Sequence, residues 1–240
     1  MAEAAAAPPP VAGALVFDLN YHEHTTEDEA GALCRQLTMS FAANRRAAKP
    51  FPLLLLGGVG VPDCSGTDGT PGSKKGQDLP PLIRLLETSN WWASPGVQRS
   101  GSATPWQGFN SADVVYLTAD SPNALEDLAP EQAPESSRTV YVVGGIVDRV
   151  EKPGLSYRRA VAAGLRTARL PLEKFLTLKG AQKAQQKATG CRREAGGDDV
   201  TTLAVVQMLL LFRESGRWGD AISRCPALRC APVRTRRNPQ

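Results

Sequence analysis

Four stretches of strand length are apolar through their middles instead of alternating with polar residues: 14–19 (ALVFDL), 51–56 (FPLLLL), 113–118 (DVVYLT) and 139–143 (TVYVV). A strand with one wet face shows a period of two. Runs without that period belong to a sheet covered on both faces, and such sheets are largely parallel, with helices as the cover. Helical patterns do lie between the runs. Thr26 and Glu29 form a capping box, and Ala30, Leu33, Leu37 and Phe41 follow at helical spacing. Ser121 reads as an N-cap with Pro122 at the first helical position, residues 156–165 as a helix, and 167–172 as a short strand. An almost wholly apolar helix is predicted over 200–213. The order of elements argues an α/β fold with a largely parallel sheet.

Between the second and third runs, residues 59–110 are rich in Gly, Ser, Pro and Thr. They read as one long insertion, mobile in part, with a short helical piece at 82–86. Trp91, Trp92 and Trp106 are expected to cap the core, because buried aromatics usually serve packing. Residues 1–13 read as a flexible Ala/Pro leader, 14–224 as one catalytic domain, and 225–240 as a basic tail.

The charge is unevenly spread. Residues 1–148 hold 9 Lys/Arg against 17 Asp/Glu, a net of −8, and residues 149–240 hold 19 against 7, a net of +12. Either the C-terminal part faces a polyanion or two solvated faces of opposite sign pair within the fold. Five cysteines without a CxxC pair are neither a disulfide framework nor a zinc spacing, which fits reduced, intracellular thiols. The leader lacks the marks of a secretory or transit signal. The most apolar run, 203–212, is far shorter than the ~20 residues that span a bilayer.

Several chemistries find no support in the motifs. The segment GGVG at 57–60 follows a strand, but neither phosphate-loop spacing continues from it. His22 and His24 are the only histidines, too few for a metal site, and they give no workable Ser-His-Asp or Cys-His set. No metal is expected. The segment YVVGGIVD at 141–148 is different in kind. Gly144 and Gly145 directly after a buried strand permit close backbone approach to a ligand, and Asp148 follows three residues later. Taken alone, the segment is either a tight turn with a solvated carboxylate or a site.

Four blocks of sequence, LVFDLNYHEHTTEDEAGALCRQLTMSFAANRRA, VVYLTADSPNALEDL, YVVGGIVDR and TARLPL, occur in an order and spacing that resemble the tRNA (purine-9) N1-methyltransferases, a branch of the SPOUT methyltransferases. The resemblance implies a knotted α/β domain with a C-terminal trefoil knot that binds S-adenosyl-L-methionine and acts on tRNA as a monomer. Carried over position by position, it makes Asp148 the catalytic carboxylate. The cofactor wall would comprise Leu117, Gly145, Arg149, Val150, Glu151, Lys152, Pro153, Ser156 and Leu170, completed by Asp199, Val200 and Thr201.

The chemistry gives Asp148 a task. N1 of guanine carries a proton at neutral pH, so methylating it needs a base. Arg158, Arg159, Arg166, Arg169, Lys174, Lys179, Lys183, Lys187, Arg192 and Arg193 are expected to grip tRNA backbone. The implied activity is transfer of a methyl group to N1 of guanine at position 9 of tRNA. The alternative is a non-catalytic or weakly active tRNA-binding protein, related to the methyltransferase subunit of mitochondrial ribonuclease P. An intracellular protein of cytoplasm or nucleus is expected, with the mitochondrion left open.

Overall fold

The structure is a computed structural model that describes residues 13–61, 79–125, 139–147, 154–176 and 200–229. Six parallel strands form one sheet in the order β3-β2-β1-β5-β4-β6. β1 (Ala14–Asp18) lies inside it, between β2 (Leu53–Gly57) and β5 (Val140–Gly144). β3 (Val97–Ser100) and β6 (Arg166–Ala168) form the edges, and β4 (Val114–Leu117) joins β5 to β6. The apolar runs are strands, and the register sets Asp18 level with Gly57 on one side and Gly144 on the other.

Both faces of the sheet are covered, which is why those runs need no alternation. Leu15, Phe17, Leu54, Leu56, Val115, Leu117, Tyr141 and Val143 point into the larger core. The residues between them, including Val16, Leu55, Tyr116 and Val142, point into a smaller one on the other face. α1 (Glu27–Arg46) covers the larger core with Ala30, Leu33 and Leu37. Full burial of each leucine stabilises by roughly 1.5–3 kcal/mol.

The predicted capping box starts α1. Thr26 Oγ1 accepts from the Glu29 N–H at 3.3 Å, and Glu29 Oε2 accepts from the Thr26 N–H at 2.9 Å. Its end is fixed by Asn44, whose amide both donates to Phe51 O and accepts from Phe51 N–H, steering the chain into β2.

The reading of 59–110 as one insertion does not fit the described part. Residues 81–87 form α2 (Pro81–Glu87), and β3 supplies an edge of the main sheet. Trp91, Trp92 and Trp106 are buried, as expected of core caps. Phe41 stacks on Trp91, and Trp106 meets Tyr116 edge-on.

Two element readings also change. The strand predicted over 167–172 is β6 alone, because Pro171 ends it and α4 (Leu172–Leu176) begins directly. No helix starts at Pro122. Ser121 Oγ does accept from Asn123 N–H, but Ala124 still bridges to Arg169 before the first helical residue, Leu125.

The helix predicted over 156–165 is α3 (Leu155–Ala162), whose Ala160 reaches the smaller core. The long apolar helix is α5 (Thr202–Ser215). It is apolar almost all round because it lies between α1 and α6 (Trp218–Arg224). Cys225 is fully buried and α7 (Pro226–Arg229) follows it, so the folded part runs past the boundary expected at 224. The expected C-terminal trefoil knot falls on a part of the chain in which residues 177–199 lie outside the described residues, as do residues 1–12 of the expected leader. Among the described residues, no helix is long and apolar enough to cross a membrane.

Candidate functional site

β1 and β5 end level with one another and β4 ends one residue short of them at the carboxyl edge of the sheet, where ligands bind in parallel α/β folds. Asp18 ends β1 with no exposed surface. A buried carboxylate is tolerated only when paired and hydrogen-bonded, and this one is both. Its Oδ2 accepts from Tyr116 Oη at 2.9 Å and from Arg159 Nε. Its Oδ1 accepts from the backbone N–H and side-chain amide of Asn20, and from Arg159 Nη2 at 3.3 Å.

The pairing extends outward. Tyr21 Oη lies 2.5 Å from Tyr116 Oη and 3.2 Å from Ser156 Oγ. The Arg159 guanidinium stands over the rings of Tyr21 and Trp106 and donates to Ala103 O. Burial, and then the charge of Asp18, push the Tyr116 hydroxyl well above the usual phenol range, and the same two causes raise Tyr21. Burial alone would lower Arg159, but the hydrogen bond and charge of Asp18 outweigh it and hold the guanidinium cationic.

Gly144 and Gly145 sit against this cluster. A Cβ on Gly144 would stand 2.8 Å from Ser156 Oγ. One on Gly145 would stand 2.6 Å from Leu19 Cδ2 and 2.9 Å from Asp18 O, which accepts from the Gly145 N–H at 2.7 Å. Backbone at Gly145 thus packs directly on backbone at the end of β1, which only glycine allows. Gly154, left-handed at φ 72°, caps α3 and donates its N–H to Asp120 Oδ2 at 3.1 Å. The loop after β4 and the start of α3 are joined there.

The structure brings several of the predicted residues to this edge. Leu117 is the buried last residue of β4, and Leu170 is buried two residues beyond β6. Val200 packs against the same core. Ser156, half-buried in the first turn of α3, meets Gly144. Thr201 caps α5, its Oγ1 accepting from Ala204 N–H at 3.2 Å. Asp148, Arg149, Val150, Glu151, Lys152, Pro153 and Asp199 lie outside the described residues.

Of the basic residues expected to face tRNA, two have internal tasks. Arg159 is spent on Asp18, and Arg169 donates to Ser121 O and Pro122 O. Arg166 is exposed, while Lys179, Lys183, Lys187, Arg192 and Arg193 lie outside the described residues.

Sequence reasoning misses Asn20, Tyr21 and Tyr116, takes Asp18 only as the end of a strand, and counts Arg159 only among the cations facing tRNA. A carboxylate inside an apolar run is the available signal, since such a group needs a partner. His22 and His24 sit on an exposed turn (His22–His24). Among the described residues, no group of three potential metal ligands occurs. Gly57 and Gly58, the start of the dismissed phosphate-loop look-alike, are explained by packing. A Cβ on Gly57 would fall 2.0 Å from Pro105, and Gly58 N–H donates to Ser100 O.

Residues 83–184 match the family model described as tRNA (guanine(9)-N(1))-methyltransferase TRM10/TRM10A. A tRNA (guanine(9)-N1)-methyltransferase of Gibberella zeae is 27% identical over 234 residues, covering 86% of this chain and 52% of the relative. The tRNA methyltransferase 10 homolog B of Danio rerio is 27% identical, covering 87% of this chain and 56% of its own length. The Mitochondrial ribonuclease P protein 1 homolog of Drosophila melanogaster is 28% identical, covering 88% and 39%. The chain thus spans about half the length, or less, of these curated relatives.

Among solved structures, full-length spTrm10 in complex with SAH superposes with a TM-score of 0.61 at 21% identity, covering 90% of this chain and 96% of that one. A dual-specific Trm10 from Thermococcus kodakaraensis gives 0.51 at 12% identity, covering 89% and 99%. These likenesses show that the chain shares the fold of those Trm10 structures.

Proposed function

We propose that the chain is a member of the TRM10 family of SPOUT methyltransferases, to which the match over residues 83–184 and its curated relatives point, and that it is an S-adenosyl-L-methionine-dependent enzyme that methylates N1 of guanine at position 9 of tRNA. The observation that carries this reading is the meeting of Gly144 with Ser156, beside the close packing of Gly145 on Asp18 O and at the strand ends where Leu117 is also placed. The residues suit such a donor. Leu117, Leu170 and Val200 give an apolar surface for an adenine ring. Ser156 adds a hydroxyl, and a nucleoside without phosphates needs no phosphate loop.

When bound, the donor supplies a methyl carbon on a sulfonium centre. The chain's residues do the rest. The apolar wall and the glycine turn orient, which for methyl transfer is most of the catalytic task. Asp148 takes the N1 proton of guanine, so that the nitrogen lone pair is free to form the new bond. N1 of adenine carries no proton to remove. An adenine-directed enzyme would therefore depend less on Asp148. Arg149, Val150, Glu151, Lys152, Pro153, Asp199 and Thr201 complete the wall in this reading, and Arg166 with the basic residues of 177–199 meets tRNA backbone.

In the same reading, the chain forms one methyltransferase domain, acts as a monomer, and works in the cytoplasm or nucleus. The name of the Drosophila melanogaster relative keeps the mitochondrion in view. The test is direct. Purified protein, donor and unmodified tRNA should yield N1-methylguanosine, detected by mass spectrometry of digested tRNA and as a primer-extension stop at position 9. Substrates with A or G at that position identify the base. Donor binding without product on any tRNA would sink the enzyme reading and favour a tRNA-binding role.

A further inference from the structure

Behind the glycine turn, the groups around Asp18 fix where Ser156 stands. Two routes run from the carboxylate to the first turns of α3. One is the Arg159 ion pair, and the other is the row of hydroxyls Tyr116, Tyr21 and Ser156. Tyr116 spends its single proton on the carboxylate, so at 2.5 Å it accepts from Tyr21. The single proton of Tyr21 lies between Tyr116 Oη and Ser156 Oγ, and toward Ser156 Oγ Tyr21 is the donor at 3.2 Å.

We propose that Tyr21 and Arg159 are positioning residues for the methyl donor: they anchor the Ser156 hydroxyl against Gly144, where it meets a polar group of the ligand. This rests on the function proposed above. Neither side chain needs to touch the ligand. Arg159 sets the place of α3 by gripping Asp18, Ala103 O and the faces of Tyr21 and Trp106. Tyr21 holds the Ser156 hydroxyl in place through the 3.2 Å contact between Oη and Oγ.

The test measures S-adenosylhomocysteine binding by calorimetry on the full chain, together with donor and tRNA KM, kcat and the thermal midpoint. Tyr21→Phe removes one hydroxyl and Arg159→Met removes the cation. Each should weaken S-adenosylhomocysteine binding about three- to tenfold, the size expected when one hydrogen bond is lost. Donor KM should rise in parallel, with kcat at saturating donor and KM for tRNA held within about twofold. Arg159→Lys should recover most of the loss.

Ser156→Ala combined with Tyr21→Phe should bind no worse than Ser156→Ala alone, because Tyr21 acts through Ser156. A lowered midpoint with unchanged binding, or additive losses in the double variant, would overturn the inference while leaving the enzyme reading intact. Should Arg159→Met fail to fold, Tyr21→Phe and the double variant decide the matter. Wild-type protein that binds no donor would overturn both readings together.

Discussion

Asp18 and Arg159 stand 141 positions apart in the chain and close into an ion pair whose acid is fully buried and whose base is 28% exposed. Removing one partner of a buried pair costs about 3–5 kcal/mol, because it strands the other. Asp18→Ala is therefore expected to destabilise by about that amount in urea titration. With Arg159→Met added, the double variant should lose less than the sum of the single losses, since the second change removes the stranded charge.

Alkaline pH should act on the same cluster. Tyr21 and Tyr116 titrate above the ordinary 10.0 in the folded state. The folded form therefore holds phenolic protons that the unfolded form releases. The stability they contribute is complete below pH 10 and declines as pH rises through the folded-state values. Thermal midpoints from pH 9 upward should fall more steeply for wild type than for Tyr21→Phe. Equal slopes would show that the Tyr21 hydroxyl does not titrate as its surroundings imply.

Gly145 is expected to tolerate no side chain. The Cβ of alanine would meet Asp18 O, a backbone atom that cannot swing away. Gly145→Ala should cost about 1–3 kcal/mol, the usual range for overpacking. It should also weaken S-adenosylhomocysteine binding in calorimetry, because relief requires the turn to shift. A variant with wild-type stability and affinity would remove Gly145 from the site.

Under the proposed function, Asp148→Asn should lower kcat on a tRNA with guanine at position 9 by about 10²–10⁴, the range for a lost general base. Binding of S-adenosylhomocysteine should stay within about twofold. A loss of affinity equal to the loss of rate would make Asp148 a ligand-holding residue instead.

Thr201 caps α5 through Ala204 N–H. Thr201→Ala should cost about 1 kcal/mol by chemical denaturation, as losing such a cap usually does. Thr201→Ser should keep most of it.

The parts of the fold that could be read in the sequence were those where burial leaves a one-dimensional mark. The apolar strands and the Thr26 to Glu29 box are visible because their patterns repeat within a few residues. β3 escaped because VQRS is a short edge strand with only Val97 buried, so neither alternation nor an apolar run announces it. The end of β6 was misplaced because Leu170 and Leu172 are buried, and their apolar character continued past the hydrogen-bonded ladder.

The site divides in the same way. Gly144 and Gly145 were legible as a turn after a strand, and the resemblance supplied Ser156, Leu117 and Leu170. The cluster of Asp18, Tyr116, Tyr21 and Arg159 was not legible, since its contacts join residues about a hundred positions apart. A lone aspartate at the end of ALVFDL states that a partner exists without saying where.

The Asp18 to Arg159 pair also bears on the order in which the chain can assemble. Synthesis delivers β1 first and α3 much later. Until Arg159 emerges, packing β2 and β5 against β1 would dehydrate a carboxylate with no cation beside it, which is strongly disfavoured. Closure of the sheet about its inner strand and docking of α3 are therefore energetically coupled through this one pair.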